Sequence, residues 1–180
     1  MRTLYFCRHA KSSWADPGQA DFDRPLNERG NRNAPFMAGL FRQRGEPVDL
    51  LVSSPAARAW STALFFAKEL GVAQGDILLR RELYHASPQT IRRVAEELPA
   101  HVHRALFFGH NPGITEAIEQ LSGEPIGNLP TCGLVRIDLP IDDWKELSAG
   151  IGINLLEAEA ATEAVERNAL LARSRKRISL

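Results

Sequence analysis

The chain has 180 residues, 44% of them hydrophobic and 24% charged, which is enough for one globular domain with a buried core. Lys plus Arg and Asp plus Glu number 22 each, so the formal net charge is zero, and a strongly cationic nucleic-acid-binding protein is excluded. The apolar stretch before Arg8 is only about five residues, too short for a secretory signal or a membrane span. Two cysteines, Cys7 and Cys132, are too few for a disulfide framework, so we expect a reducing, cytoplasmic location without membrane association.

Short apolar runs alternate with helical patterns along the chain. This alternation predicts an α/β domain, a three-layer α/β/α sandwich around a mostly parallel sheet. The predicted elements, in chain order, are strand Thr3–Cys7, helix Glu28–Arg44, strand Val48–Ser53, helix Pro55–Leu70, strand Asp76–Leu79, helix Pro88–Leu98, strand Ala105–Phe108, helix Pro112–Leu121, strand Leu134–Leu139, strand Ile153–Glu157 and a last helix near Ala160–Arg173.

Three of the helices have marked starts, because Ser54, Ser87 and Asn111 each precede a proline and can cap the helix that follows. The polar segment Ser12–Arg24 is predicted to be a surface loop that overhangs a site. We assign residues 1–157 to one domain. Residues 158–180, acidic first and basic at the end, are predicted to form a helical extension with a basic tip.

Basic side chains follow three of the predicted strands. Arg8 and His9 come after the first strand, Arg58 comes shortly after the second, and His110 directly follows the strand Ala105–Phe108 and its glycine. Ligands of open α/β sheets bind outside the carboxyl ends of the strands. If these strands are neighbours, two arginines and two histidines meet there beside two helix starts, which is an arrangement suited to an anion.

Each of these residues also has a simpler interpretation. A single arginine after a strand is most often in a surface ion pair, and a histidine in a Gly-His-Asn turn most often makes local hydrogen bonds. Their joint occurrence at strand ends nevertheless favours a phosphate site. His101 and His103 stand at alternate positions, but no cysteine or acidic neighbour completes a metal-ligand set, so we expect no metal and no cofactor. The three tryptophans are scattered and are expected to pack rather than to stack on bases.

Four segments together resemble the histidine phosphatase superfamily, which includes the phosphoglycerate mutases and acid phosphatases, and within it the small bacterial SixA-type phosphohistidine phosphatases. They spread over residues 5–113, and a weaker echo follows at 130–133. The ordered set is specific, although Arg-His alone is not. The matching segments are Arg8-His9-Ala10-Lys11-Ser12, Asp23-Arg24-Pro25-Leu26-Asn27-Glu28-Arg29-Gly30, Ser54-Pro55-Ala56-Ala57-Arg58-Ala59 and Phe108-Gly109-His110-Asn111-Pro112-Gly113.

The resemblance implies a phosphoglycerate mutase-like fold and a role for each core residue. His9 is implied to be the nucleophile that carries a phosphohistidine intermediate. Arg8 and Arg58 are implied to clamp the phosphoryl oxygens, and His110 to donate a hydrogen bond to them. A nucleophilic His9 must be neutral, so its other ring nitrogen should donate to a backbone carbonyl, and the arginines should lower its pKa.

A general acid is needed if the leaving group is an alkoxide, and Glu82 is the candidate by rough alignment with family members that act on phosphate esters. The alternative is a solvated loop carboxylate. The candidate substrate contacts in the matching motifs are Lys11, Ser12, Arg24 and Asn111. Arg24 and Lys11 are equally suited to a surface pair with Asp21 or Asp23. Departures from the mutase pattern at Ala10, Lys11 and Ala15 favour phosphatase over mutase activity.

The sequence therefore predicts a metal-independent phosphatase that hydrolyses a protein phosphohistidine through His9. One alternative is a small-molecule phosphomonoesterase with Glu82 as its general acid. The other is a non-catalytic module that binds phosphoproteins. The expected partner is a phosphorylated protein or a small phosphorylated metabolite, with no nucleic acid, and the sequence gives no oligomeric state.

Overall fold

A computed structural model describes residues 1–158 of the chain, with side chains through Ile153. The helix predicted near 160–173 and the extension after 158 lie outside the described residues. The strands are β1 (Arg2–Arg8), β2 (Leu50–Ser53), β3 (Leu78–Leu79), β4 (Arg104–Gly109), β5 (Leu134–Leu139) and β6 (Ile153–Ala158), and the helices are α1 (Glu28–Gln43), α2 (Ala57–Leu70), α3 (Pro88–Glu96) and α4 (Gly113–Ser122).

The six strands form one sheet in the order β3-β2-β4-β1-β5-β6. The pairs β3–β2, β2–β4 and β4–β1 are parallel, whereas β5 runs antiparallel to both of its neighbours. The predicted mostly parallel sheet and α/β/α sandwich are therefore confirmed. Every predicted strand and helix that falls within the described residues is present, and no bound differs by more than two residues.

Both faces of the sheet are buried, which explains why its central strands are continuous apolar runs. Along β1, Leu4 and Phe6 face the core under α3 and α4, while Tyr5 and Cys7 face the core under α1 and α2. This alternation makes the sheet the middle of three layers. Within residues 1–158, no helix has the length and apolar character that crossing a membrane would require.

The three predicted helix starts behave differently. Ser87 caps α3 as expected, since its hydroxyl accepts a hydrogen bond from the Thr90 backbone N–H at 3.2 Å. The caps predicted at Ser54 and Asn111 are wrong, because α2 begins at Ala57 and α4 at Gly113. The side chains of both residues make other contacts that build the site described below.

The order β2-β4-β1 brings the carboxyl ends of three strands together. Arg8 lies opposite Gly109, and Ser53 lies opposite Phe108. The chain leaves all three strands at the same edge of the sheet, which is the arrangement that the strand-end residues required. The predicted anion site required these three strands to be neighbours, and they are.

Close contact between α4 and the loop before α3 requires a glycine at position 113. A Cβ atom there would collide with the carbonyl oxygen of Ala86, a backbone group that cannot rotate away. Gly113 therefore lets residues 84–87 approach the first turn of α4, directly after His110.

We predict that Gly113→Ala lowers the free energy of unfolding by about 1–3 kcal/mol through overpacking against Ala86. The matched control is Gly39→Ala in α1, where an added Cβ has nothing within 4 Å. The control should be neutral or stabilising by up to about 1 kcal/mol because alanine favours the helix. Urea denaturation of both variants measures the difference, and equal stabilities would show that the Ala86 contact is not tight.

Candidate active site

His9 is held directly beyond the end of β1. Its backbone N–H donates to the carbonyl of Gly109 at 3.0 Å, and its Nδ1 lies 2.7 Å from the carbonyl oxygen of Ala10. A carbonyl oxygen only accepts, so the proton is assigned to Nδ1 and the lone pair to Nε2. This is the orientation expected of a nucleophilic histidine.

Arg58 contacts the lone pair side of His9. Its Nε donates to His9 Nε2 at 3.3 Å, and the Arg58 side chain is buried. Thr62, one turn later in α2, fixes this geometry because its hydroxyl donates to the Arg58 carbonyl at 2.7 Å and accepts from the Ala10 N–H at 3.0 Å. Thr62 thus ties α2 to the segment that carries His9, a role that its sequence position did not reveal.

The pKa of His9 is lowered from its ordinary value to about 4. Burial is the main cause, because it disfavours the charged imidazolium. The guanidinium groups of Arg58, Arg8 and Arg24 lower the pKa further, while the hydrogen bond to Ala10 opposes them. His9 is therefore neutral near pH 7.

His110 lies beside His9, with 5.1 Å between the ring centroids. Its Nε2 lies 2.9 Å from the hydroxyl of Ser54, whose oxygen also accepts the Ala56 N–H at 3.3 Å. The hydroxyl of Ser54 can donate to Nε2, and in this arrangement the ring proton of His110 lies on Nδ1. Burial, followed by the nearby His9 and Arg58, lowers the pKa of His110 well below its ordinary value.

Two buried N–H groups of the cluster have no hydrogen-bond partner within the described residues. They are Nδ1 of His110 and Nε of Arg8. Arg8 is otherwise anchored, since its Nη1 donates to the carbonyl of Leu129 at 2.7 Å. A buried donor without an acceptor costs about 1–3 kcal/mol, so this arrangement favours a ligand that brings acceptor oxygens.

Asp21 connects the overhanging loop to the cluster. Its Oδ2 accepts from Arg58 Nη2 at 2.8 Å, from the Tyr84 hydroxyl at 2.8 Å and from His85 Nε2 at 3.1 Å. Burial alone would raise the pKa of Asp21, but the hydrogen bonds from Tyr84, Arg58 and His85 hold it well below its usual value. The loop Ser12–Arg24 thus reaches the cluster through Asp21, as an overhanging loop would. The contacts of Asp21 with Arg58, Tyr84 and His85 were not predicted.

Arg24 and Ser12 contact each other and support the loop. Arg24 is buried and donates to Asp21 Oδ1 and to the Ser12 hydroxyl, both at 2.6 Å. Of the two interpretations left open for Arg24, the pair with aspartate is the one that the structure contains. Lys11 is exposed. Trp14 was expected to pack in the interior but is 74% exposed. The centroid of its ring lies 3.2 Å from the Arg24 guanidinium carbon.

Asn111 supports the wall of the site next to Arg8. Its side-chain amide donates to Asn128 Oδ1 at 2.7 Å and to the Leu129 carbonyl at 3.2 Å, and its oxygen accepts from the Thr115 hydroxyl at 3.0 Å. Asn111 and Arg8 therefore bind the same carbonyl group. This contact explains why Asn111 does not cap α4.

Glu82 is not brought into contact with the cluster in the described structure. It lies in a short 3₁₀ turn, Arg81–Leu83, where its carboxylate pairs with Arg80 at 3.0 Å and is 44% exposed. The hydrogen bond from Arg80 is the main cause that lowers the pKa of Glu82. This environment matches the alternative of a solvated loop carboxylate. In the described part of the chain, no group of three or more His, Cys, Asp or Glu side chains is placed to hold a metal ion.

Comparison with known families decides the assignment. The family model of the histidine phosphatase superfamily (branch 1) matches residues 4–122, which include all four strand-end residues. The chain belongs to the histidine phosphatase superfamily.

Three similar proteins illustrate this membership. A crystal structure of a protein from Agrobacterium tumefaciens, provisionally named as the phosphohistidine phosphatase SixA, is 31% identical with a TM-score of 0.72, covering 86% of this chain and 97% of that one. An uncharacterized chloroplastic protein of Arabidopsis thaliana is 28% identical over 82% of this chain and 71% of its own length. A mycobacterial glucosyl-3-phosphoglycerate phosphatase, 15% identical with a TM-score of 0.65 over 88% of this chain and 97% of its own, shares the fold.

We predict that His9 stays neutral down to about pH 4 as the Nδ1–H tautomer, because its pKa is lowered to about 4. A histidine in the unfolded chain binds its proton near pH 6.5. The unfolded state therefore binds more protons between these values, and the stability that neutral His9 confers is lost as the pH falls from 6.5 toward 4. Imidazole ¹⁵N shifts across a pH titration measure the tautomer, and a midpoint near 6.5 would contradict the burial argument.

Proposed function

We propose that this superfamily member is a phosphohistidine phosphatase that removes a phosphoryl group from a protein histidine. The reaction passes through a covalent phosphohistidine on His9 and uses no metal ion. Arg8 and Arg58 bind the phosphoryl oxygens, and His110 donates a hydrogen bond to them. Four further residues lie around the substrate, namely Lys11, Ser12, Arg24 and Asn111. The last three act by supporting the walls of the site through the contacts described above.

The observation that carries this proposal is a neutral histidine, whose Nε2 lone pair faces the Arg58 guanidinium, beside buried donors that lack acceptors. Nε2 of His9 is the nucleophilic atom, and Nε of Arg8 and Nδ1 of His110 lack acceptors within the described residues. A phosphoryl group supplies an electrophilic phosphorus for Nε2 of His9 and acceptor oxygens for the donors of Arg8 and His110. Arg58 carries five N–H donors, and its contacts with His9 and Asp21 leave others for an oxygen.

The chemistry follows from this placement. The lone pair of His9 Nε2 forms a bond to phosphorus while the bond to the leaving atom breaks and its electron pair goes to that atom. The guanidinium groups and His110 stabilise the negative charge on the three phosphoryl oxygens. A water molecule then attacks phosphorus and releases phosphate from His9. Because fixed cations surround the oxygens, the proposed mechanism needs no Lewis acid.

A protein substrate is supported by the surface beside the site. Trp14 is exposed in the same loop as Asp21, and exposed tryptophans are frequent anchors of protein interfaces. The similar Agrobacterium protein is provisionally named for phosphohistidine as well. We place the reaction in the cytoplasm, consistent with the two cysteines, which are buried and free of disulfides.

A small-molecule phosphomonoesterase is the second candidate. The glucosyl-3-phosphoglycerate phosphatase shows that this fold hydrolyses esters of small metabolites. For this chain, Glu82 would have to leave Arg80 and approach the leaving group, which makes the candidate weaker. A non-catalytic phosphoprotein-binding module is the third, and it predicts phosphate binding without turnover.

We predict rapid phosphate release from a phosphohistidine protein, with a chelator present, and slower release from a panel of phosphate esters. His9→Ala should reduce release by roughly 1,000-fold or more, because removal of a nucleophile abolishes the covalent route. The matched control is His101→Ala, which alters an exposed histidine in the turn before β4.

Three other results would contradict the proposal. Faster ester hydrolysis would favour the phosphomonoesterase, and Glu82→Gln would then test its acid. Phosphate binding without release by the unaltered protein would favour the binding module. Loss of activity in the chelator, restored by a divalent cation, would contradict the metal-independent route.

We predict that Trp14→Ala lowers kcat/KM for the phosphohistidine protein by about tenfold or more, since truncating an interface tryptophan commonly costs more than 1 kcal/mol. Hydrolysis of p-nitrophenyl phosphate should change little. Ile153→Ala is the control, because Ile153 is exposed at the start of β6, at the opposite edge of the sheet. Equal losses on both substrates would show that Trp14 supports the site and not a protein interface.

A further inference from the structure

A third histidine lies next to the predicted pair, and the mechanism above gives it no role. The ring of His85 stacks near that of His110, with 5.8 Å between centroids and 29° between planes. The Tyr84 ring packs against both of them, at 4.3 Å from His85 and 5.5 Å from His110. The side chain of His85 is 56% exposed, so it lies at the border between the buried cluster and solvent.

The backbone of His85 is held in an unfavourable conformation. Its φ is +50°, in the left-handed region that side-chain-bearing residues seldom adopt. The next residue, Ala86, lies so close to Gly113 that this segment is packed directly on the first turn of α4. Strain of this kind concentrates at functional sites, where the surrounding structure holds a side chain in place.

Asp21 orients the imidazole of His85. Its Oδ2 lies 3.1 Å from His85 Nε2 and also accepts from Arg58 and Tyr84. An ionised carboxylate only accepts hydrogen bonds, so Nε2 of His85 carries a proton. The other nitrogen, Nδ1, is then available to exchange a proton with a reacting group. A histidine held by a carboxylate is a common acid–base arrangement, since histidine changes charge near neutral pH.

We propose that His85 is the general acid that protonates the leaving group, and that Asp21 is its positioning residue. This inference rests on the proposed function, because it concerns the same phosphoryl transfer from the substrate to His9. It assigns to the Asp21–His85 pair the task that the sequence suggested for Glu82.

The proton and electron balance of the step is as follows. As His9 Nε2 bonds to phosphorus, the bond from phosphorus to the leaving nitrogen or oxygen breaks, and its electron pair stays on the leaving atom. The proton on Nδ1 of His85 moves to that atom, which departs as a neutral imidazole or alcohol. Neutral His85 then takes a proton from the water that attacks the phosphohistidine, so phosphate is released and the imidazolium is restored.

The test is the dependence of kcat/KM on the leaving group in the full-length protein. Substituted phenyl phosphates from p-nitrophenyl to phenyl, followed by an alkyl phosphate, form the series. The test variant is His85→Asn, because asparagine tolerates the left-handed backbone and keeps the turn intact. His101→Asn is the matched control at an exposed position.

We expect His85→Asn to lower kcat/KM by about 100-fold or more for the poorest leaving group, the range typical of a lost general acid. It should have little effect on p-nitrophenyl phosphate, whose leaving group departs without a proton. An equal loss across the series would overturn the inference but leave the His9 phosphatase standing. Absence of release from every substrate by the unaltered protein would instead defeat the proposed function.

The pH profile gives a second readout. With the poor leaving group, general acid catalysis predicts an alkaline limb in the pH profile of kcat/KM for the unaltered protein, and His85→Asn should lack this limb. The groups that face His85 are Asp21, Tyr84 and His110, with Arg58 behind the Tyr84 ring. The pKa of Tyr84 is raised above its ordinary value by burial and by Asp21, so the Tyr84 hydroxyl keeps its proton near neutral pH. An identical alkaline limb in the variant would contradict the proposal.

Discussion

The active-site geometry depends on keeping one imidazole neutral beside several guanidinium groups. His9 is buried at the end of β1 and donates its Nδ1 proton to the Ala10 carbonyl, so the lone pair of Nε2 points toward Arg58. A charged imidazole would lose this lone pair and would be repelled by Arg8 and Arg58. Burial is the main reason that His9 stays neutral, and the guanidinium groups of Arg58 and Arg8 add to it. In the proposed mechanism the same guanidinium groups bind the phosphoryl group, so they contribute both to substrate binding and to the neutral state of His9.

Asp21 supplies the opposite charge in this environment. It links the guanidinium groups of Arg58 and Arg24 with Tyr84 and His85, and thereby joins the overhanging loop to α2 and to the segment before α3. The loop is anchored by the ion pairs of Asp21 with Arg24 and Arg58 and by the edge-to-face contact of Phe22 with Tyr84. Its position therefore depends in part on the ionised state of one carboxylate. Asp21 in this way connects the sides of the site that hold the proposed nucleophile, His9, and the proposed general acid, His85.

The strand-end residues could be predicted because position after an apolar run is a local signal. The parallel order β2-β4-β1 then brought Arg8, Arg58 and His110 to His9 without further information. The sequence offered Asp21 and Asp23 as partners of Arg24, but nothing local marks which aspartate of the loop also reaches Arg58. Alignment along the chain favours Glu82 as the acid. Alignment does not show on which side of the 3₁₀ turn Arg81–Leu83 the carboxylate lies. The role of residues 84–87 depends on a contact with Gly113, nearly thirty positions away.

The most direct test of the central claim is to trap the phosphorylated enzyme. The protein would be mixed with substrate, quenched in alkali within milliseconds, digested under conditions that preserve phosphohistidine, and sequenced by mass spectrometry. We predict a phosphoryl group on His9 that is stable in alkali, labile in acid and absent from His9→Ala. Turnover with no phosphoryl group on His9, or with one on another residue, would contradict the account.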